Sequence, residues 1–203
     1  MRHTAKFATV AIVSTLALCA GCSDQKNGNP VPTEKPASSS AALPSDGAPA
    51  VSDPITNTSA VESDPCSAVP VAQIETIGGK TDGSRLDPMS AGNSCTWSFA
   101  DGPSNVNAGL VTGNKEGLSS LYSQHATGGL TTFKPVDPVG GYPAVVYANG
   151  GEGQGTCTLA VGVRNDLVYT VIPRLVTNHP SFSDPCGMAT KVAAAAIKHL
   201  KGA

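Results

Sequence analysis

Apolar and polar positions alternate along much of the second half of the chain, with the period of two that a half-buried strand shows. The clearest case begins at Cys157, from which apolar side chains occupy every second position up to Val163. Asn165 and Asp166 then interrupt the pattern, and such a pair suits the tight turn of a hairpin. We predict strands over residues 95–99, 107–112, 130–136, 142–148, 157–164 and 167–172.

A helical period governs the end of the chain. Asp184 is a helix-capping residue, and Pro185 suits the first helical position. The apolar side chains that follow recur at spacings of three and four, which places them on one face of a helix. They are Ala189, Val192, Ala193, Ala196, Ile197 and Leu200. Shorter helices are predicted over residues 71–77 and 117–126, and a long loop over residues 80–93.

The order of these elements indicates the fold class. Consecutive strands joined by short turns favour antiparallel pairing, and the helices need a sheet on which to bury their apolar faces. We predict one globular α+β domain over residues 64–203. Its mainly antiparallel, twisted sheet is covered by helices from the N-terminal and C-terminal ends of the domain.

The chain before residue 64 has a different composition. Residues 23–63 are rich in Ser, Pro, Ala, Asp and Asn and contain no aromatic side chain. A segment of this kind has too little apolar area to offset the entropy lost when a chain becomes ordered. We therefore predict a disordered Ser/Pro/Ala-rich tether over residues 22–63.

Residues 1–21 have the pattern of a bacterial export signal. Basic side chains precede an uninterrupted run of apolar and small residues over 7–20, which is shorter than the ~20 residues a membrane-spanning helix needs. Two small residues lie directly before Cys22, as in a lipobox, where a cysteine thiol receives diacylglycerol before cleavage. Cys19 stands where a lipobox usually has Leu, Val or Ile, a mild departure. We predict a lipoprotein signal peptide and lipidation of Cys22, including palmitate, in preference to ordinary secretion or a metal or redox cysteine pair.

Four further cysteines predict a disulfide framework. An even number of cysteines in an exported domain is typical of paired thiols, and no two of these lie close enough in sequence to suggest a metal-binding pair. Cys66 with Cys95 and Cys157 with Cys186 have equal separations, and we prefer this sequential pairing. The nested alternative, Cys66 with Cys186 and Cys95 with Cys157, stays open.

The charge pattern argues against one class of partner. The chain carries 13 Lys and Arg against 15 Asp and Glu, and the acids and bases of the domain balance. A nucleic-acid-binding protein shows a basic patch or stripe instead. We expect no nucleic-acid partner.

No set of catalytic residues is recognisable in the sequence. The domain lacks the G-x-S-x-G and H-E-x-x-H motifs, and His125, His179 and His199 do not cluster. The glycine-rich segment 150–155 precedes a predicted strand, whereas a phosphate loop needs a helix behind it, so we interpret this segment as a hairpin loop. Trp97 is predicted to pack against a disulfide in the core. We expect no catalytic residue, no metal and no cofactor.

Five short motifs together resemble one family. They are Asp64-Pro65-Cys66, Cys95-Thr96-Trp97, Gly141-Tyr142-Pro143-Ala144, and segments 157–161 and 184–189. In this order they resemble the actinobacterial cell-envelope lipoproteins grouped as domain of unknown function 3558, over essentially the whole domain. The resemblance implies an envelope lipoprotein with paired cysteines. The family has no established activity, so the resemblance implies no catalytic residue.

These observations favour a binding module that is not an enzyme. We expect a lipid-anchored protein on the outer, extracytoplasmic face of the cell membrane that binds an envelope protein, glycan or lipid. A carrier of a lipid or another apolar small molecule is the alternative, and it predicts an apolar cavity between sheet and helix. An envelope hydrolase requires His125 or His179 within hydrogen-bond reach of a carboxylate and of a Ser or Thr hydroxyl at a cleft.

Overall fold

The strands follow the alternation of side chains along the chain. The computed structural model describes residues 42–150 and 152–202, and within them seven strands form one sheet. In chain order they are β1 Thr81–Asp87, β2 Ser94–Phe99, β3 Asn105–Leu110, β4 Thr132–Val139, β5 Tyr142–Ala148, β6 Leu159–Arg164 and β7 Leu167–Arg174. Across the sheet the order is β1-β2-β3-β7-β6-β5-β4, and all neighbouring strands are antiparallel. The predicted signal peptide, Cys22 and residues 22–41 of the predicted tether lie outside the described residues.

The described helices are α1 Ser59–Ser63, a 3-10 helix Pro65–Ala68, α2 Val71–Gly78, α3 Ser119–Ala126 and α4 Pro185–Leu200. Two of them, the 3-10 helix and α4, begin at an aspartate that caps them. The carboxylate of Asp184 accepts a hydrogen bond from the Gly187 N–H at 2.9 Å, and Asp64 accepts one from the Cys66 N–H at 3.2 Å. Both caps satisfy backbone donors that have no partner inside the helix. The predicted α+β class is confirmed.

The main core lies between α4 and one face of the sheet. The predicted apolar stripe of α4 is buried along its whole length. It belongs to the same core cluster as the strand side chains Trp97, Phe99, Leu159, Val161, Tyr169 and Val171, none of which is more than 1% exposed. Complete burial of a large apolar side chain stabilises by roughly 1.5–3 kcal/mol. The carrier alternative predicts an apolar cavity between sheet and helix. The side chains of this core cluster pack together between α4 and the sheet.

The described helices cover the second face of the sheet over only part of its width. Leu118 at the start of α3 and Leu121 within it pack on Val145, Ala160 and Val168 in a smaller core cluster. No described helix lies over the outer-face side chains of β2 and β3 or over the later residues of β7. That half of the face carries the polar positions of the alternating pattern.

Two disulfides join helical segments to the sheet. Cys66 is bonded to Cys95, which ties the 3-10 helix to β2, and Cys157 is bonded to Cys186, which ties the chain before β6 to α4. The preferred sequential pairing is confirmed and the nested alternative is excluded. Trp97 is fully buried in the core cluster that contains Cys95.

The predicted loop over residues 80–93 contains a strand. β1 occupies Thr81–Asp87 at one edge of the sheet and pairs with β2. All of its side chains are exposed or half-buried, so its sequence lacks the alternation by which a strand is recognised. Pairing with the neighbouring strand, rather than burial of its own side chains, holds this segment extended.

The folded part also begins before the predicted boundary at residue 64. Val51, Ile55 and Val61, assigned above to the tether, are buried in the main core. The Ile55 N–H donates to the Val163 carbonyl at 2.9 Å. Isolated aliphatic side chains among polar residues cannot form a core of their own, but they do bury area against a core that exists already. Residues 42–63 are therefore part of the domain.

Candidate functional site

The three histidines of the domain do not form the arrangement that a hydrolase needs. His125 stacks on Phe133, with ring centroids 4.3 Å apart, and His199 lies in the last turn of α4. His179 is buried, and its Nδ1 accepts a hydrogen bond from the Ser181 N–H at 3.0 Å. Within the described residues, no imidazole is hydrogen-bonded to a carboxylate or to a hydroxyl.

Asp101 and His179 lie on neighbouring segments, and each has buried polar atoms. Both carboxylate oxygens of Asp101 and the Nε2 of His179 are buried without a hydrogen-bond partner. The Asn178 side chain donates to the Asp101 backbone carbonyl at 3.5 Å. Among the hydrogen bonds and ion pairs of the described residues, none joins Asp101 to His179. These groups therefore do not form an acid–base pair in this structure.

The glycine-rich segment 150–155 connects β5 to β6, as the hairpin interpretation predicted. Thr156 forms a bridge with Arg174 of β7, so the segment leads into sheet pairing and not into a helix. A surface cavity of about 380 Å³ lies beside it, lined by residues 153–156, Phe182, Ser183 and Pro185. No side chain of this lining carries a charge, which does not suit a phosphate.

A second cavity, which we call the sheet-face groove, lies on the uncovered half of the sheet. Its volume is about 180 Å³. Its floor comes from β2, β3 and β7, its sides from the loop before β2 and from the end of β5. The lining residues are Met89, Ala91, Gly92, Asn93, Ser94, Asn107, Gly109, Leu110, Val111, Tyr147, Thr170 and Ile172.

A hydrogen-bond network fixes the amide of Asn107 in the floor. Asn107 Nδ2 donates to Ser94 Oγ and to Thr96 Oγ1, both at 2.9 Å. The Ser94 hydroxyl donates to the Asp87 carbonyl at 3.3 Å, and the Thr96 hydroxyl donates to the Asp87 carboxylate. Because both hydroxyls use their protons on Asp87, they accept from Asn107, and this fixes which way the amide points. Asn107 Oδ1 has no hydrogen-bond partner among the described residues.

Thr170 supplies a second free polar group. Thr170 is 8% exposed, and its Oγ1 is buried without a hydrogen-bond partner in the described part of the chain. It lies opposite Gly109 in the pairing of β3 with β7. Burying an unpaired hydroxyl costs roughly 1–3 kcal/mol, and such groups are rare in folded proteins. A ligand with a hydrogen-bonding group would satisfy this one.

Tyr147 forms one side of the groove. Burial raises the pKa of its phenol, and the nearby Thr170 hydroxyl opposes that rise only in part. No hydrogen bond of normal geometry joins the two side chains. The phenol is therefore neutral at physiological pH and remains a hydrogen-bonding group at the edge of the groove.

Sequence reasoning did not find Asn107, Tyr147 or Thr170. Each stands at a position of a strand that faces away from the main core, where a polar side chain usually faces water. Only the strand order brings them together, because β3, β7 and β5 are not consecutive in sequence. The groove could have been predicted only from a correct topology.

No described group of three or more His, Cys, Asp or Glu side chains is placed to hold a metal ion. Across residues 42–150 and 152–202, none of the helices has the length and apolar character needed to cross a membrane.

Comparisons with known proteins give the relationship of the chain. No curated protein and no solved structure matches it. A family model described as "Protein of unknown function (DUF3558)" matches residues 17–199. That span includes both disulfides, the whole sheet and almost all of α4. The chain therefore belongs to the DUF3558 family of proteins of unknown function.

Proposed function

We propose that the chain is a lipid-anchored module on the extracytoplasmic face of a cell membrane, and that it binds a ligand in the sheet-face groove without catalysing a reaction. Support for the anchor comes from the signal pattern and from the cysteine that follows it. Two disulfides suit an oxidising compartment outside the cytoplasm.

The observation that carries the binding role is the hydroxyl of Thr170, a groove-lining residue, which has no hydrogen-bond partner among the described residues. A folded domain gains nothing from a buried hydroxyl without a partner, but a binding site gains specificity from one, because only a ligand with a matching group restores the lost hydrogen bond. Apolar side chains around it, including Ile172 and Met89, supply area that a ligand removes from water. No acid–base pair lines the groove.

The anchor is tested with a pair of cysteine variants of the full-length chain. Cys22→Ala should abolish acylation and the cleavage that follows it, so the chain should keep residues 1–21 and lack the mass of the acyl chains. Cys19→Ala should leave acylation and cleavage unchanged, since Cys19 belongs to the predicted signal peptide. If both variants have an unchanged mass, the lipid anchor is wrong.

The groove is tested in living cells with a photo-reactive amino acid. Met89 is 51% exposed at the groove, and Leu86 is 46% exposed on β1. Leu86 pairs with Cys95, whose side chain lies in the main core, so the two positions sit on opposite faces of the sheet. An adduct from position 89, absent from position 86 and lost when Thr170→Val is added, supports the proposal. Equal adducts from both positions contradict it.

A further inference from the structure

The groove selects against charged ligands. None of its lining side chains belongs to Asp, Glu, Lys or Arg. Arg85 and Asp87 form an ion pair with each other at 2.9 Å, and neither residue lines the groove. A charged group that entered would lose water without gaining a counter-charge. The part of the ligand that lies in the groove is therefore neutral.

The size of the groove limits what enters it. Its volume of about 180 Å³ corresponds to about six water molecules at ~30 Å³ each. Sites for drug-sized ligands have about 300–1,000 Å³. One ring or one short side chain fits, so a larger ligand would insert a single unit and leave the rest outside.

The floor of the groove does not suit a peptide main chain. It is the face of a sheet, and the backbone groups of β3 and β7 are paired with each other along the length of both strands. Extended peptides bind where a sheet edge offers unpaired N–H and C=O groups. Here the free partners are side-chain groups at fixed positions: Thr170 Oγ1, Asn107 Oδ1 and the phenol of Tyr147.

We propose that the sheet-face groove binds one ring of a neutral sugar. The C–H face of the ring packs on Tyr147 and Ile172, as apolar surface packs on an aromatic body with a polar tip. One ring hydroxyl pairs with Thr170 Oγ1, and a second donates to Asn107 Oδ1. Adjacent hydroxyls of a sugar present the donors and acceptors that these two groups lack. The inference rests on the proposed binding function and gives its ligand class.

The test is saturation-transfer NMR with the full-length acylated protein in nanodiscs. The probes are glucose, galactose, mannose and N-acetylglucosamine, each at tens of millimolar, and the capped neutral peptide N-acetyl-Ala-Ala-Ala-amide. We expect saturation of ring protons from at least one sugar and none from the peptide. Thr170→Val should weaken sugar binding about tenfold, the value of one good hydrogen bond. Thr190→Val, at an exposed position of α4, should leave binding unchanged.

The outcomes separate the ligand class from the binding function. If the peptide receives saturation that Thr170→Val removes, while no sugar does, the sugar inference is overturned and the proposed function survives. If no probe binds, or if Thr170→Val and the wild-type protein bind the sugar equally, both are overturned.

The same measurement distinguishes a sugar ring at the end of a glycan chain from a free sugar. An oligosaccharide that binds more tightly than its own monosaccharide indicates the end of a glycan chain. Equal affinities indicate a free sugar. Either result supports the inference, because both place a neutral sugar ring in the groove.

Discussion

Thr170 shows at the residue scale how stability and binding oppose each other in this domain. Its backbone belongs to a central strand, and its side chain is buried, so an apolar residue of the same shape would suit the fold better. The hydroxyl instead has no hydrogen-bond partner among the described residues. Residues that bind ligands commonly cost the folded state some stability.

This opposition gives a prediction for stability. Thr170→Val should raise the free energy of unfolding by about 1 kcal/mol, because it removes a buried hydroxyl that has no hydrogen bond. The measurement is a denaturant titration of the full-length protein. Thr190→Val is the matched control and should change stability by no more than about 0.5 kcal/mol. A clear loss of stability in Thr170→Val would show that its hydroxyl has a partner in the fold.

At the element scale, the sequence predicted those helices and strands that bury an apolar face of their own. The hairpin of β6 and β7 turns at Asn165-Asp166 as expected, and Arg164 pairs with Leu167 across it. Helix α4 begins at its predicted cap. Strand β1 was missed because its side chains are exposed or half-buried, and only the neighbouring strand makes it extended.

The segment before α1 was missed for a related reason. Its few aliphatic residues show no period, and composition alone assigned it to the tether. In the structure Val51 is held by the Asn165 side chain, which accepts from its N–H at 2.8 Å. The Tyr142 hydroxyl likewise donates to the Asp53 carbonyl at 2.8 Å. These contacts come from residues far along the chain, which local patterns do not reveal.

A single substitution tests whether this segment is part of the fold. Ile55 is 6% exposed, and Ile55→Ala should lower the free energy of unfolding by about 2–5 kcal/mol, the cost of emptying a buried aliphatic site. Val71→Ala, at a position that is 42% exposed on α2, should cost far less. Denaturation curves of the two variants decide the matter. Equal, small effects would mean that residues 42–63 belong to a tether after all.

The two disulfides stabilise the fold by joining helical segments to the sheet. Each closes a separation of 29 residues, for which the loop-entropy model gives about 3.5 kcal/mol. The double variants Cys66→Ala/Cys95→Ala and Cys157→Ala/Cys186→Ala should therefore lose similar amounts of stability, measured by chemical denaturation. Each loss is large compared with the ~5–15 kcal/mol free energy of unfolding of a typical domain. A double variant with unchanged stability would contradict the claim that its disulfide stabilises the domain.

At the scale of the whole molecule, the described helices cover one face of the sheet and about half of the other. Alternating patterns and caps predicted the α+β class and most of the elements. They did not predict the groove, because it depends on the order β3-β7-β6-β5, which brings Tyr147 near Thr170. On the half of the second face that no described helix covers, Thr170 Oγ1 and Asn107 Oδ1 have no hydrogen-bond partner among the described residues.

The measurement that tests the central claim most directly is hydrogen exchange, followed by mass spectrometry, on the full-length protein in membranes with and without a soluble glycan fraction of its own envelope. The account predicts slower exchange in residues 89–94 and 107–111, which border the groove, and no such change in Thr170→Val. Protection confined to another surface, or protection that persists in Thr170→Val, would contradict the claim that the groove is the binding site.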